Sequence, residues 1–124
     1  MKYLLDTHIA LWFLNGERLT EKTKELIING ENYISVVSLW EIAIKMNIGK
    51  YTFNGGFSKF KELVINNGFT ILPIKVEYME KLFELPLIHR DPFDRLIIAT
   101  SIFEEMTLIT ADDNIQKYDI VWIW

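Results

Sequence analysis

The sequence predicts an α/β domain in three layers, with a mostly parallel central sheet and helices on both of its faces. Three observations carry that prediction. Short apolar runs alternate with helical periodicities through most of the chain. The breaks between them fall on Asn-Gly, Gly-Gly and proline positions, which punctuate elements rather than interrupt them. The 124 residues suit one core, because a chain of this length buries roughly two thirds of its unfolded surface unaided. Residues 1–124 are therefore expected to form a single domain, without repeats or linkers.

Taken in order, KYLLD is a short strand ending at Asp6, and HIALWFLN is a short helix closed near Asn15-Gly16. LTEKTKELIING reads as a helix entered at Thr20, and Glu31-Asn32 lead into a strand at YISV. VVSLWEIAIKMNIGK is a helix stopped at Gly49, where a left-handed terminal residue is natural. After Gly55-Gly56 come the helix FSKFKELVINN and, past Gly68, the strand FTILPI. VEYMEKLFEL is helical and PLIHRDP is a loop. PFDRLIIATSIFEE is a helix with proline in its first position, followed by the strands MTLIT and DIVWIW.

Composition excludes several kinds of chemistry. Without cysteine there are no disulfides, thiolate metal sites or cysteine nucleophiles, which fits a reducing compartment. Only Tyr3, Leu4 and Leu5 separate Lys2 from Asp6, too few for a signal peptide, and no apolar run approaches the ~18 residues of a membrane span. The expectation is a cytoplasmic protein with no membrane partner. The net charge of −4 gives no overall basic field for nucleic acid. Carboxylates clustered round cations in one cleft are neutralised locally, however, and leave basic residues elsewhere to face phosphate.

The carboxylates are the informative residues. Ligands of parallel sheets bind beyond the carboxyl ends of the strands, and Asp6 and Asp112 both lie just past such ends. Either one alone is equally a turn former or helix cap. Glu41 sits in the apolar helix segment SLWEIAIK, four residues before Lys45. Burying it is costly unless something positive meets it. In HRDPFDRLIIA, Pro92 at the first helical position makes Asp91 the N-cap, accepting from the amide of Phe93 or Asp94. Asp94 is either a capping-box partner or the polar head of the stripe continued by Ile97, Ile98 and Ser101, aimed at the strand ends.

Four carboxylates converging on one cleft repel one another, and a bound cation resolves that. Oxygen ligands alone select Mg²⁺, with Mn²⁺ as substitute, over Zn²⁺. Mg²⁺ retains waters and takes phosphate oxygens, which points to phosphate-ester chemistry.

At these residues the sequence resembles the PIN-domain family, and within it the VapC-like toxin ribonucleases of toxin-antitoxin pairs. The resemblance rests on LLDTHIALWFL, SVVSLWEIAIKMNIGK, GFTILPI, LPLIHRDPFDRLIIATS and LITADDNIQKYD, in the family's order and spacing. It implies a PIN-like fold, metal-dependent endoribonuclease activity on RNA, a cognate antitoxin and a homodimer. Carried over by position, it implies that Asp6, Glu41, Asp94 and Asp112 are the catalytic and metal-binding set. Thr7 and Thr110 are then polar neighbours on the substrate side. Within Asp112-Asp113 the family's T-x-D pattern selects Asp112 and leaves Asp113 to cap the next turn.

Lys45 either pairs with Glu41 or faces RNA. Arg95, about 100° round the helix from Asp94, either reaches a substrate phosphate or pairs with an acid. His89 reads as a hydrogen-bonding scaffold residue. Trp40, Phe93, Phe103, Trp122 and Trp124 read as core or dimer interface, and Trp12 as core or part of an antitoxin groove. Two other functions compete with the ribonuclease: a catalytically silent PIN-like RNA-binding or interaction module, and an Mg²⁺-dependent phosphohydrolase of small esters. His8 stands where an aspartyl-phosphate scheme would want a second aspartate, which weakens the latter.

Overall fold

The computed structural model describes residues Met1–Trp124. The elements in chain order are β1 (Lys2–Leu5), α1 (Thr7–Asn15), α2 (Glu21–Asn29), β2 (Glu31–Ser35), α3 (Val36–Asn47), α4 (Gly56–Asn66), β3 (Thr70–Leu72), α5 (Val76–Glu84), α6 (Pro92–Glu104), β4 (Thr107–Ile109), α7 (Asp113–Gln116) and β5 (Trp122–Ile123). The five strands form one sheet in the order β3-β2-β1-β4-β5. Every pairing is parallel, so the sheet is wholly rather than mostly parallel.

The central strands β1 and β4 carry apolar residues on both faces, as a sheet covered on both sides requires. In β1, Tyr3 and Leu5 enter one core while Leu4 enters the other; in β4, Ile109 and Leu108 divide the same way. The first core is closed by Ile9, Ala10 and Leu11 of α1, Ile27 of α2, and Phe60 and Val64 of α4. The second is closed by Ile97 and Ile98 of α6 and Ile115 of α7. Helix α3 reaches both, with Leu39 and Ile42 on one side and Val37 on the other. This is the expected three-layer arrangement.

Local signals set most boundaries. Thr20 accepts from the Thr23 amide and starts α2, and Gly16, at φ 70°, ends α1 with its N–H on the Phe13 and Trp12 carbonyls. Ser35 is both the last residue of β2 and the cap of α3, so no loop separates them. Several expectations shift. Helix α3 ends at Asn47 with Ile48 as its cap, ahead of Gly49. Of DIVWIW only Trp122–Ile123 pair as strand. The turn expected after Asp112-Asp113 is the one-turn helix α7, and it is Asp112, not Asp113, that caps it. Trp40 is 58% exposed and stacks edge-on against Phe93 at 5.3 Å, so it is no core residue.

Candidate active site

An all-parallel sheet brings all its carboxyl ends to one edge, and there β1, β2 and β4 deliver Asp6, the start of α3, and Thr110-Ala111-Asp112. The Asp6 amide donates to the Ile109 carbonyl (3.1 Å), which carries the β1–β4 pairing one residue past the strand. Its carboxylate caps α1, Oδ1 accepting from the Ile9 amide at 2.8 Å, and Oδ2 accepts from the Thr110 hydroxyl at 2.5 Å. Asp112 caps α7: Oδ1 accepts from the amides of Asn114 (2.8 Å) and Ile115 (3.1 Å), and Oδ2 has no partner in the protein. The cap reading of both aspartates therefore holds structurally, and it leaves their charge in place.

Asp91 is the N-cap of α6 and accepts from the Asp94 amide at 3.0 Å. Asp94 makes no capping-box bond. Its Oδ2 lies 3.2 Å from His89 Nε2, and His89 Nδ1 lies 2.8 Å from the Tyr118 hydroxyl. That hydroxyl also accepts from Arg95 (2.8 Å), whose guanidinium donates further to the Pro86 carbonyl at 2.9 Å. Arg95 thus locks the HRDP loop onto Tyr118 and pairs with no acid. His89 is the scaffold residue expected. Buried Tyr118, 23 residues from Arg95, has no signal in sequence that sets it apart.

Glu41 is 2% exposed and fully engaged. Oε1 accepts from the Thr7 hydroxyl at 2.8 Å, and Oε2 from Lys45 Nζ at 2.6 Å. Lys45 is thus paired with Glu41, and withdrawing it toward a phosphate would leave a buried carboxylate without its cation. Thr7 and Thr110 are buried too. Their hydroxyls donate to Glu41 and Asp6.

The electrostatics separate this cluster from ordinary surface acids. Burial pushes Asp6 up to about 7; the Thr110 and Ile9 hydrogen bonds oppose the shift, while Asp94 and Asp112 add to it. Burial likewise raises Asp94 to about 6, with repulsion from Asp91, Asp112 and Glu41 overcoming the His89 contact. Asp6, Asp94 and Asp112 therefore feel one another across the cleft. No three Asp, Glu or His side chains stand close enough together to hold an ion as they are. In kind, the donors fit a hard divalent cation: they are carboxylate oxygens, two of them, Asp94 Oδ1 and Asp112 Oδ2, lack partners, and no Lys or Arg pairs with Asp6, Asp94 or Asp112.

A cavity of about 280 Å³ opens on this edge, lined by Asp6, Asp112, His8, Trp12, Arg18 and Ala111. The sequence did not single out His8 or Arg18; DTHIALWF places His8 one turn past the strand, the only hint available. His8 Nε2 meets the Tyr51 hydroxyl at 3.0 Å, and Lys45 donates to the same hydroxyl at 3.3 Å.

The family model described as PIN domain matches residues 3–121. No curated protein matches the sequence. Among solved structures, the chain is similar to one in the DNA-bound VapBC2 of Rickettsia felis, with TM-score 0.77, 19% identity, and coverage of 99% of this chain and 98% of that one. It is also similar to a chain of VapBC-1 from nontypeable Haemophilus influenzae (0.70, 17%, 99% and 97%) and to one of a toxin-antitoxin complex from Klebsiella pneumoniae (0.68, 18%, 98% and 96%). At these identities the likeness is one of fold.

Proposed function

Given that this chain belongs to the PIN-domain family, we propose that it is an Mg²⁺-dependent endoribonuclease and the toxin of a toxin-antitoxin pair. The observation that carries the reading is the placement of Asp6 and Asp112 in one cavity at the carboxyl edge of the sheet, with Asp94 close enough to repel both. Burial first, and neighbouring acids second, raise Asp6 to about 7 and Asp94 to about 6. Like charges held together by a fold call for a cation. Asp6, Asp94 and Asp112 would hold it, and Glu41 is the outer member of the set, tied to Lys45 and Thr7.

Bound there, Mg²⁺ supplies an activated water and offsets charge on the scissile phosphate. The remaining work belongs to the chain. Thr110 and the Ile9 amide of α1 fix the Asp6 carboxylate, and His89, braced by Tyr118, fixes Asp94. The buried Glu41–Lys45 pair holds α3 against α1 through Thr7 without adding net charge. A cognate antitoxin and a second copy of the chain are the partners proposed. One of the similar solved structures is a toxin-antitoxin complex, and the exposed apolar side chains of Trp40, Met79 and Phe83 are of the kind that protein partners cover.

A silent RNA-binding module is the second reading, favoured by the absence of a closed ligand group. The deciding experiment is cleavage of an RNA panel with Mg²⁺ and with EDTA. The ribonuclease predicts Mg²⁺-dependent cleavage by the wild type and a loss of a hundredfold or more in Asp94→Asn, above the roughly 10–100-fold typical of residues that only support a ligand. Cleavage by neither, or equal cleavage by both, rejects it.

A further inference from the structure

The proposed reaction needs a cation for the substrate's phosphates, and the two expected in the sequence are both engaged. Lys45 is paired with Glu41, and Arg95 donates to the Pro86 carbonyl and the Tyr118 hydroxyl. Arg18 is different. It lines the same cavity as Asp6 and Asp112, and it takes part in none of the chain's ion pairs. Its guanidinium carbon lies 5.6 Å from the centre of the Trp12 ring. A guanidinium laid on an indole keeps its N–H edge pointing outward, in the geometry that meets phosphate oxygens in pairs.

The backbone holds Arg18 there against its preference. Its φ is 62°, a region non-glycine residues rarely enter. The Leu19 amide donates to the Glu17 carbonyl at 2.9 Å, closing a γ-turn centred on Arg18. With a positive central φ this is the rarer, strained form of that turn. Buried Leu19 anchors one side of the turn, and Gly16 ends α1 on the other. Arginine gains nothing from this conformation, whereas glycine would adopt it freely. Strain retained at a cavity rim is a mark of function rather than of folding.

A second cavity, of about 260 Å³, continues past Arg18; His8, Trp12 and Tyr51 supply its aromatic wall, and Leu11, Asn15, Glu17 and Thr52 the rest, so one carboxylate lies among its lining. His8 packs on Trp12 and edge-on against Tyr51, at 5.8 and 5.7 Å between ring centres. Aromatic walls beside an unpaired cation are the equipment of single-stranded nucleic-acid grooves, where bases stack and the cation follows the backbone. An acidic peptide would find a partner in Arg18 but little use for the aromatic walls.

We propose that Arg18, laid on Trp12 at the rim of the aspartate cavity, binds a phosphate adjoining the scissile one, and that the His8–Trp12–Tyr51 groove takes the neighbouring base of single-stranded RNA. This rests on the ribonuclease reading of the cleft. Arg18 is a substrate-binding residue, so it acts on KM and leaves the protonation and metal requirements of the cleft untouched.

The test uses the full chain with Mg²⁺ and a single-stranded RNA that the wild type cleaves. Arg18→Gln is expected to raise KM about tenfold with kcat within twofold, as loss of one charge-assisted contact implies. The slope of log(kcat/KM) against log salt should fall by about 0.7, the value for one single-strand phosphate contact. Arg18→Lys should keep the wild-type slope with an intermediate KM, since it retains the charge but not the planar fork. Arg18→Gly should melt no lower than wild type while matching the KM of Arg18→Gln, which separates substrate binding from folding. Lys22→Gln, an equal charge change on α2, should behave as wild type. If the wild type cleaves RNA and Arg18→Gln shows an unchanged KM and salt slope, as expected were Arg18 to meet a protein partner instead, this proposal falls alone. If the wild type neither cleaves nor binds RNA, the ribonuclease reading falls and takes Arg18 with it.

Discussion

Helix α6 carries a carboxylate in its first turn and another in its last, and the two titrate in opposite directions. Asp94, at the amino end, should be favoured as an anion by the helix dipole; Glu104, at the carboxyl end, should be disfavoured. The reverse holds. Burial and neighbouring acids raise Asp94 to about 6, while the Tyr78 hydroxyl (2.6 Å) and Lys75 (3.0 Å) hold Glu104 below the usual carboxylate range. The dipole contributes roughly 0.3–1 kcal/mol at an exposed helix end, less than burial among like charges. One end of the helix thus has its charge answered by a hydroxyl and an ammonium, and the other keeps a largely buried carboxylate among like charges.

The largest test of that contrast is at the cleft. Asp6→Asn preserves both hydrogen-bonding roles, because an amide accepts from Ile9 and donates to Thr110. It removes a carboxyl whose folded value, about 7, lies well above its ordinary 3.8. The native state thus keeps a proton that the unfolded chain has already lost. The stability from that proton is whole below pH 4 and is lost as pH rises through about 7. At pH 8 in EDTA, the variant should exceed the wild type by about 2 kcal/mol, within the ceiling of roughly 4 set by a three-unit shift. At pH 4 the two should converge, and Mg²⁺ at pH 8 should raise the melting temperature of the wild type more than that of the variant. Equal denaturation midpoints at pH 8 would show that the cleft bears no uncompensated charge.

At the other end of α6, Tyr78→Phe should cost about 1 kcal/mol at pH 7, the net value of one hydrogen bond. Glu104 runs with the opposite sign: its contribution is present above the ordinary glutamate value of 4.5 and is lost as pH falls through the lowered folded value. The destabilisation measured by urea titration should therefore shrink in acid; a pH-independent loss would mean packing, not the hydroxyl, is what Tyr78 contributes. The smallest effect belongs to Asp91→Asn. Asparagine caps as well as aspartate, so stability should change by less than ~0.5 kcal/mol with RNA cleavage retained. Lost cleavage in a stably folded Asp91→Asn protein would move the active carboxylate from Asp94 to its neighbour.

How much of this was legible beforehand depended on the range of the interactions. The αβ alternation and the caps at Thr20 and Asp91 follow from residues within one turn of each other, and the structure has them as read. Helix α7 is too short to show a period, and β5 pairs through only two residues. The cleft was legible as a set of acids but not as a circuit. That Thr7 and Thr110 would face carboxylates, and that Arg95 would be held by Tyr118, depends on contacts spanning from 23 to 104 residues. The Arg18 turn is local, yet nothing in Gly-Glu-Arg-Leu signals a positive φ at the arginine.

The placement of β1 at the middle of the sheet bears on how the molecule is made. Its partners on one side begin at Glu31, but those on the other lie at 107–109, and the Asp6 carboxylate is held by Thr110. Loop closure over such separations is slow, and it cannot begin until both ends exist. A nascent chain that has not yet reached Thr110 lacks both the Asp6 brace and Asp112, so the acidic cleft cannot assemble while only the first strands have been made.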